Sequence, residues 1–202
     1  MTAHESFWDF SIRVYRMPQV SSTCLALQNS YGLDVNLLLF ACWHARHRGC
    51  FDGELLENAL SFSSLWADNV VKPLRGTRTW MKSNEDALWE RARPRLRADQ
   101  TPPDAEKFDK LRQQIKSLEL QSEQLQQNVL ESLVVTPIQE LSLEVRLSAA
   151  ARNLRDIVEA SAVPLNDIVV QSLSSLILHA LDLTEDAGIL QLIHNELARP
   201  SA

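Results

Sequence analysis

The sequence predicts an all-α protein: a compact helical bundle around one buried central helix, followed by a long-helix extension. Three observations carry this. Apolar residues recur at three- and four-residue spacing along most of the chain, the period of an amphipathic helix. The strict alternation of a half-buried strand is absent. Only five glycines occur among 202 residues, few for a fold built on tight hairpins. At 45% hydrophobic the chain can bury a proper core, and one domain with a helical extension is expected.

The first helix is expected over residues 5–17, with Phe7, Phe10, Val14 and Met17 on one stripe and Asp9, Arg13 and Arg16 together on the polar face. Pro18 suits the first turn of a second helix, and Gly32 the left-handed residue that ends it. Asp34 then caps a third helix over 35–48, stopped by Gly49. From Val35 to Ala45 only Asn36 and His44 are strongly polar, so this helix must be surrounded by others and forms the hub.

Residues 52–60 read as a short fourth helix and 63–82 as a fifth, disturbed where Pro73 lacks a backbone donor. Asn84 is placed as the cap of a sixth, ending near Arg93 because a residue preceding proline avoids helical geometry. The polar, proline-containing run 99–104 is the clearest linker, dividing a core domain (1–98) from a helical extension (105–202). In the extension a long polar helix spans 105–135. Thr136-Pro137 opens another to about 162, Pro164 one to about 183, and Thr184 caps a last one ending near 198. No internal repeat is visible.

Charge and cysteine use narrow the function classes. With 26 acidic and 20 basic residues the net charge is −6, which disfavours wholesale coating of a nucleic acid. Three cysteines (Cys24, Cys42, Cys50) without a CxxC pair predict reduced thiols rather than a disulfide framework. The N-terminal residues lack a basic region followed by an apolar run, and polar residues interrupt the apolar stretch 168–183. No signal peptide and no membrane span are therefore expected, and a cytoplasmic protein is.

Four blocks occur in order: Phe7-Trp8-Asp9-Phe10-Ser11-Ile12-Arg13-Val14-Tyr15, Cys24-Leu25-Ala26-Leu27-Gln28, Gly32-Leu33-Asp34-Val35-Asn36-Leu37-Leu38-Leu39-Phe40 and Val70-Val71-Lys72-Pro73-Leu74-Arg75. In these the chain resembles a family of short, uncharacterised gamma-proteobacterial proteins. That family is a domain of unknown function with an FWDFS–LRVY start and a GLDVNLLLF block. The resemblance covers roughly residues 5 to 130 and implies a small helical cytoplasmic protein. It supplies no catalytic residue.

Chemistry-bearing motifs are sparse. Cys42-x-His44-x-x-His47-x-x-Cys50 has residue types that suit zinc, and His44 and His47 share a helical face. Cys42, however, lies about 140° around the helix from His47, and Cys50 follows the Gly49 stop. Cys42 therefore reads as a core thiol and the histidines as a polar helix end, with no metal or cofactor assigned. There is no G-x-S-x-G nucleophile turn and no glycine-rich phosphate loop. A metal- or ligand-dependent enzyme at Asn36, His44 and His47 is the least favoured function, and no catalytic residue is assigned.

The strongest candidate surface is basic. Lys72, Arg75, Arg78, Lys82, Arg91, Arg93, Arg95 and Arg97 face only three acids in the same stretch. The first four share a helical face, and the last four would alternate along an extended arm through Pro94. Either the patch is balanced by acids of the chain itself, or it docks phosphates or an acidic protein. In the long helix, Phe108, Leu111, Ile115, Leu118, Leu125 and Val129 form a coiled-coil-like seam with Ser122 at one position. The short Thr136-Pro137 connection favours an intrachain hairpin or bundle; homodimerisation through residues 108–129 is the alternative. The leading function is a non-enzymatic cytoplasmic adaptor or regulator that binds a protein partner. An RNA- or ribosome-associated accessory protein is the alternative.

Overall fold

A computed structural model describes residues 5–92 and 105–199. Every regular element among them is helical: α1 (Phe7–Tyr15), α2 (Pro18–Tyr31), α3 (Val35–Arg48), α4 (Gly53–Trp66), a π-helical turn (Ala67–Val71), α5 (Lys72–Ala92), α6 (Ala105–Ser132), α7 (Leu143–Ala160), α8 (Asp167–Ala180) and α9 (Ala187–Leu197). They form two compact units. One holds the described residues up to Ser63 together with those from Gln127 onward, and the other is Ser64–Gln126. The 99–104 linker lies outside the described residues. The division runs elsewhere than the expected split of 1–98 from 105–202, because the helices after Pro137 close over the hub.

In the first unit α3 is that hub, and every residue from Asn36 to Ala45 is buried. Helices α7, α1, α2 and α8 pack against it. Its termini follow the sequence rules: Asp34 Oδ1 accepts from the Asn36 N–H at 2.8 Å, and Gly49 ends the helix at φ +85°. Pro18 occupies the first turn of α2, and Gly32 closes it in the left-handed region at φ +71°. The N-terminal block has a packing reason. Phe7 meets the rings of Phe40 and Trp43, each with centroids 5.4 Å away, and Trp43 Nε1 donates to the Glu5 carbonyl at 3.2 Å. Ser6 Oγ accepts from the Asp9 N–H, and the Glu131 carboxylate accepts from the Phe7 N–H at 3.2 Å, placing an anion at the positive end of α1.

Asn153 of α7 satisfies the turn that follows α3. Its Nδ2 donates to the carbonyls of Ala41 (3.3 Å) and Gly49 (3.2 Å), and its Oδ1 accepts from the Phe51 N–H at 2.8 Å. Arg155, also buried on α7, donates to the carbonyls of Glu196 (3.3 Å) and Arg199 (3.0 Å), closing the C-terminal end of α9. Helices α7 and α8 both end on a left-handed residue other than glycine, Ala162 (φ 54°) and Asp182 (φ 58°).

Several expected boundaries are corrected. Residues 52–60 and the start of the next helix are one element, α4, with Asp52 Oδ1 accepting from the Leu55 N–H. The Pro73 disturbance is the π turn just before it, where the Lys72 N–H reaches back five residues to the Ala67 carbonyl. Asn84 caps nothing: α5 continues through it, and its Nδ2 donates to the Trp80 carbonyl of the preceding turn. Thr136-Pro137 does not open a helix. There Arg48 Nε holds the Thr136 carbonyl and the Gln139 N–H donates to the His47 carbonyl, and α7 starts six residues later, with Ser142 as cap. Asn166 and Asp186 are the caps of α8 and α9, in place of Pro164 and Thr184 as openers.

Candidate interaction surface

The second unit carries both surfaces that the sequence singles out. Helices α5 and α6 run antiparallel within it. Near one end Trp66 Nε1 donates to the Ser122 carbonyl at 3.0 Å, and near the other Trp89 and Phe108 meet edge to face at 5.6 Å. Between these contacts lies a charged cluster. Arg75 donates through Nε to Glu119 Oε1 (2.9 Å) and through Nη2 to Glu123 Oε1 (2.6 Å). Arg78 Nε reaches Glu119 Oε2 at 2.5 Å. The Glu119 side chain is only 9% exposed. Burial alone would raise its pKa, but hydrogen bonds from Arg78 and Arg75 outweigh it, and the net shift is downward. The hydrogen bond to Glu119 in turn raises Arg78.

The predicted basic residues are thus divided. Arg75 and Arg78 come together, and their charge is met by Glu119 and Glu123. Lys72 is exposed and pairs along its own helix with Asp68 at 2.5 Å. Lys82 and Arg91 are exposed on α5. Arg93, Arg95 and Arg97 lie outside the described residues. Glu119 and Glu123 are not among the residues that the sequence motifs mark. Their spacing of four on α6, against a spacing of three between Arg75 and Arg78, is the signal that could have found them.

The long helix departs from the expected seam. Glu119, Ser122 and Gln126 are buried, whereas Leu111 (49% exposed), Leu118 (51%) and Leu125 (48%) stand half open. Phe108 and Ile115 are partly buried, so the apolar seam is split. A polar row is covered, and a leucine row at seven-residue spacing is left on its flank.

In the first unit the Cys/His motif is divided: Cys42 and His44 are core, His47 is half-buried and Cys50 is exposed. His44 is fully buried, between Phe51 (centroids 4.9 Å) and Phe40 (6.2 Å), and its Nδ1 donates to the Gly49 carbonyl at 3.0 Å. That corrects its placement on a polar helix end. Burial lowers its pKa to about 4, leaving a neutral imidazole whose Nε2 has no hydrogen-bond partner among the described residues. Cys42 is buried and Cys24 likewise, its thiol pushed up to about 12 by burial; Cys50 is exposed. Among the described residues no group of three or more His, Cys, Asp or Glu side chains is placed to hold a metal. Asn36, buried near the start of α3, accepts at Oδ1 from Gln127 Nε2 at 2.7 Å. No helix among the described residues is long and apolar enough to cross a membrane.

No curated protein and no solved structure matches the chain. Residues 6–130, more than half of the sequence, match the model of a family described as a protein of unknown function (DUF2390), and the chain belongs to that family.

Proposed function

We propose that this protein is a non-enzymatic adaptor that binds another protein through the α5–α6 hairpin of its second unit. The observation that carries this reading is the inverted use of α6: a polar row is buried and the leucine row Leu111, Leu118, Leu125 stays half exposed. A helix that needed only its own hairpin would bury the leucines. Leaving large apolar side chains in a row on a charged chain is costly unless something covers them.

The basic patch favours a protein over a nucleic acid. Arg75 and Arg78 already hold Glu119 and Glu123, and the unit as a whole has twelve basic against ten acidic residues. At Arg75 and Arg78 a polyanion would have to displace those carboxylates before gaining a contact, which leaves Lys82 and Arg91 as the exposed cations of the patch on α5. The test is affinity capture from nuclease-treated native lysate, run in parallel with the wild type and Leu118→Glu. A protein recovered by the wild type and lost by the variant supports the reading. Nuclease-sensitive capture, with tight low-salt binding of single-stranded RNA by the purified protein, replaces it with the RNA-associated alternative.

A further inference from the structure

The charge on α6 is segregated in a way that says what could cover the leucine row. At about 100° per residue, Leu111, Gln114, Leu118, Gln121 and Leu125 fall within roughly 80° of one another, and no charged residue between positions 111 and 125 shares that sector. Arg112, Lys116, Glu119 and Glu123 all lie in the opposite half. The row is therefore leucine alternating with glutamine, neutral along its length, on a protein that carries −6 overall.

We infer that the occupant of this face is a second copy of the chain, paired antiparallel about Leu118; the inference rests on the adaptor reading's assignment of the leucine row as an interaction surface. Two like-charged molecules repel wherever charged surfaces meet, and this strip is a place where they can meet without juxtaposing like charges. The spacing is self-complementary under two-fold symmetry. With Leu118 on the axis, Leu111 of one copy meets Leu125 of the other, and Gln114 falls one residue, about 1.5 Å, out of register with Gln121, close enough for their long side-chain amides to donate and accept in turn. A parallel pair would instead set Lys107, on the same sector one turn before Leu111, against its own copy, and would align the helix dipoles unfavourably. The strip is about 21 Å long on a helix about 10 Å across, a footprint of roughly 200 Å² per copy, which is below the range of stable specific interfaces and makes this a weak, transient contact. The association is accordingly reversible and concentration-dependent.

Sedimentation velocity of the full chain, from low micromolar to several hundred micromolar, tests this against two variants. Leu118→Glu places a charge on the strip. Leu120→Glu alters a leucine of equal exposure (52%) on another face of the helix. The wild type and Leu120→Glu should shift from monomer to dimer as concentration rises, and Leu118→Glu should stay monomeric with an unchanged melting temperature. In a Cys50→Ser background, Leu118→Cys should form a disulfide-linked dimer on mild oxidation, and Leu111→Cys should not. A wild type that stays monomeric throughout, equal loss of dimer in both glutamate variants, or efficient Leu111→Cys crosslinking would each overturn the inference. If the wild type is monomeric but Leu118→Glu still loses a captured protein, the second copy is excluded and the adaptor reading survives. If Leu118→Glu changes neither, both fail.

Discussion

The buried imidazole of His44 should make this protein acid-sensitive in a defined window. In the unfolded chain a histidine titrates near 6.5, whereas in the folded protein burial holds His44 near 4. As pH falls below 6.5 the unfolded chain takes up a proton that the native state refuses, so stability must drop. The contribution is complete above the unfolded value, declines through pH 5, and levels off once the native group also protonates near 4. With these two values the loss between pH 7.5 and 5 is about 2 kcal/mol, rising towards about 3 kcal/mol as the pH approaches 4. Urea unfolding followed by circular dichroism at pH 7.5, 6 and 5 measures it. The control is His44→Gln, whose side-chain amide can still donate to the Gly49 carbonyl but cannot titrate. Whatever its absolute stability, the variant should lose about 2 kcal/mol less than the wild type over the same interval. A wild type equally stable at pH 7.5 and 5, or a variant with the same slope, would refute the assignment of a neutral core histidine.

Three further outcomes are expected. Leu38→Ala, at a fully buried position of α3, should cost about 2–5 kcal/mol in denaturant unfolding, and a negligible loss would show that α3 is not the hub. Titration with a chromogenic disulfide should count one accessible thiol, Cys50, in the native protein and three after denaturation, since Cys24 and Cys42 are buried. Two fast native thiols would contradict the burial. Reversing Arg75 and Arg78 to Glu sets two more carboxylates beside Glu119 and should destabilise the second unit by about 1–3 kcal/mol in thermal or chemical unfolding. An unchanged melting temperature would show that the ion pairs are not formed in solution.

The parts of this structure legible in the sequence are those set by local chemistry. Asp34 as a cap, Gly32 and Gly49 as stops and Pro18 in a first turn need only their neighbours, and the surface of 35–45, apolar except at Asn36 and His44, announces its own burial. Where two local rules compete, the reading fails. Asn84 can cap a helix or bond back to the preceding turn, and where α5 runs on through it the second prevails. A proline can open a helix or sit in a strap. At Pro137 the Arg48 and Gln139 hydrogen bonds to the ends of other segments choose the strap. The candidate surface was harder to read for another reason. Periodicity shows that α6 has an apolar row, but which row meets α5 is decided by long-range partners. The arginines of α5 drew Glu119 inward, and the leucines followed the helix geometry outward.

The order in which the first unit is assembled has a consequence for its life before folding is complete. Ala41 on the hub finds its Asn153 partner 112 residues later in the chain, and α7, which packs along the hub, is among the last helices to be made. At ribosomal speeds of about 5–20 residues per second, the hub helix, buried throughout from Asn36 to Ala45, waits roughly 5–20 s for that cover. Helices α1 and α2 can shield part of it meanwhile; the flank reserved for α7 cannot be shielded by any segment already synthesised. A nascent chain stalled before Leu143, or a fragment trimmed to residues 6–130, carries the hub with that flank bare. Such chains should be strong clients of hydrophobic-binding chaperones, and the full-length protein a weak one.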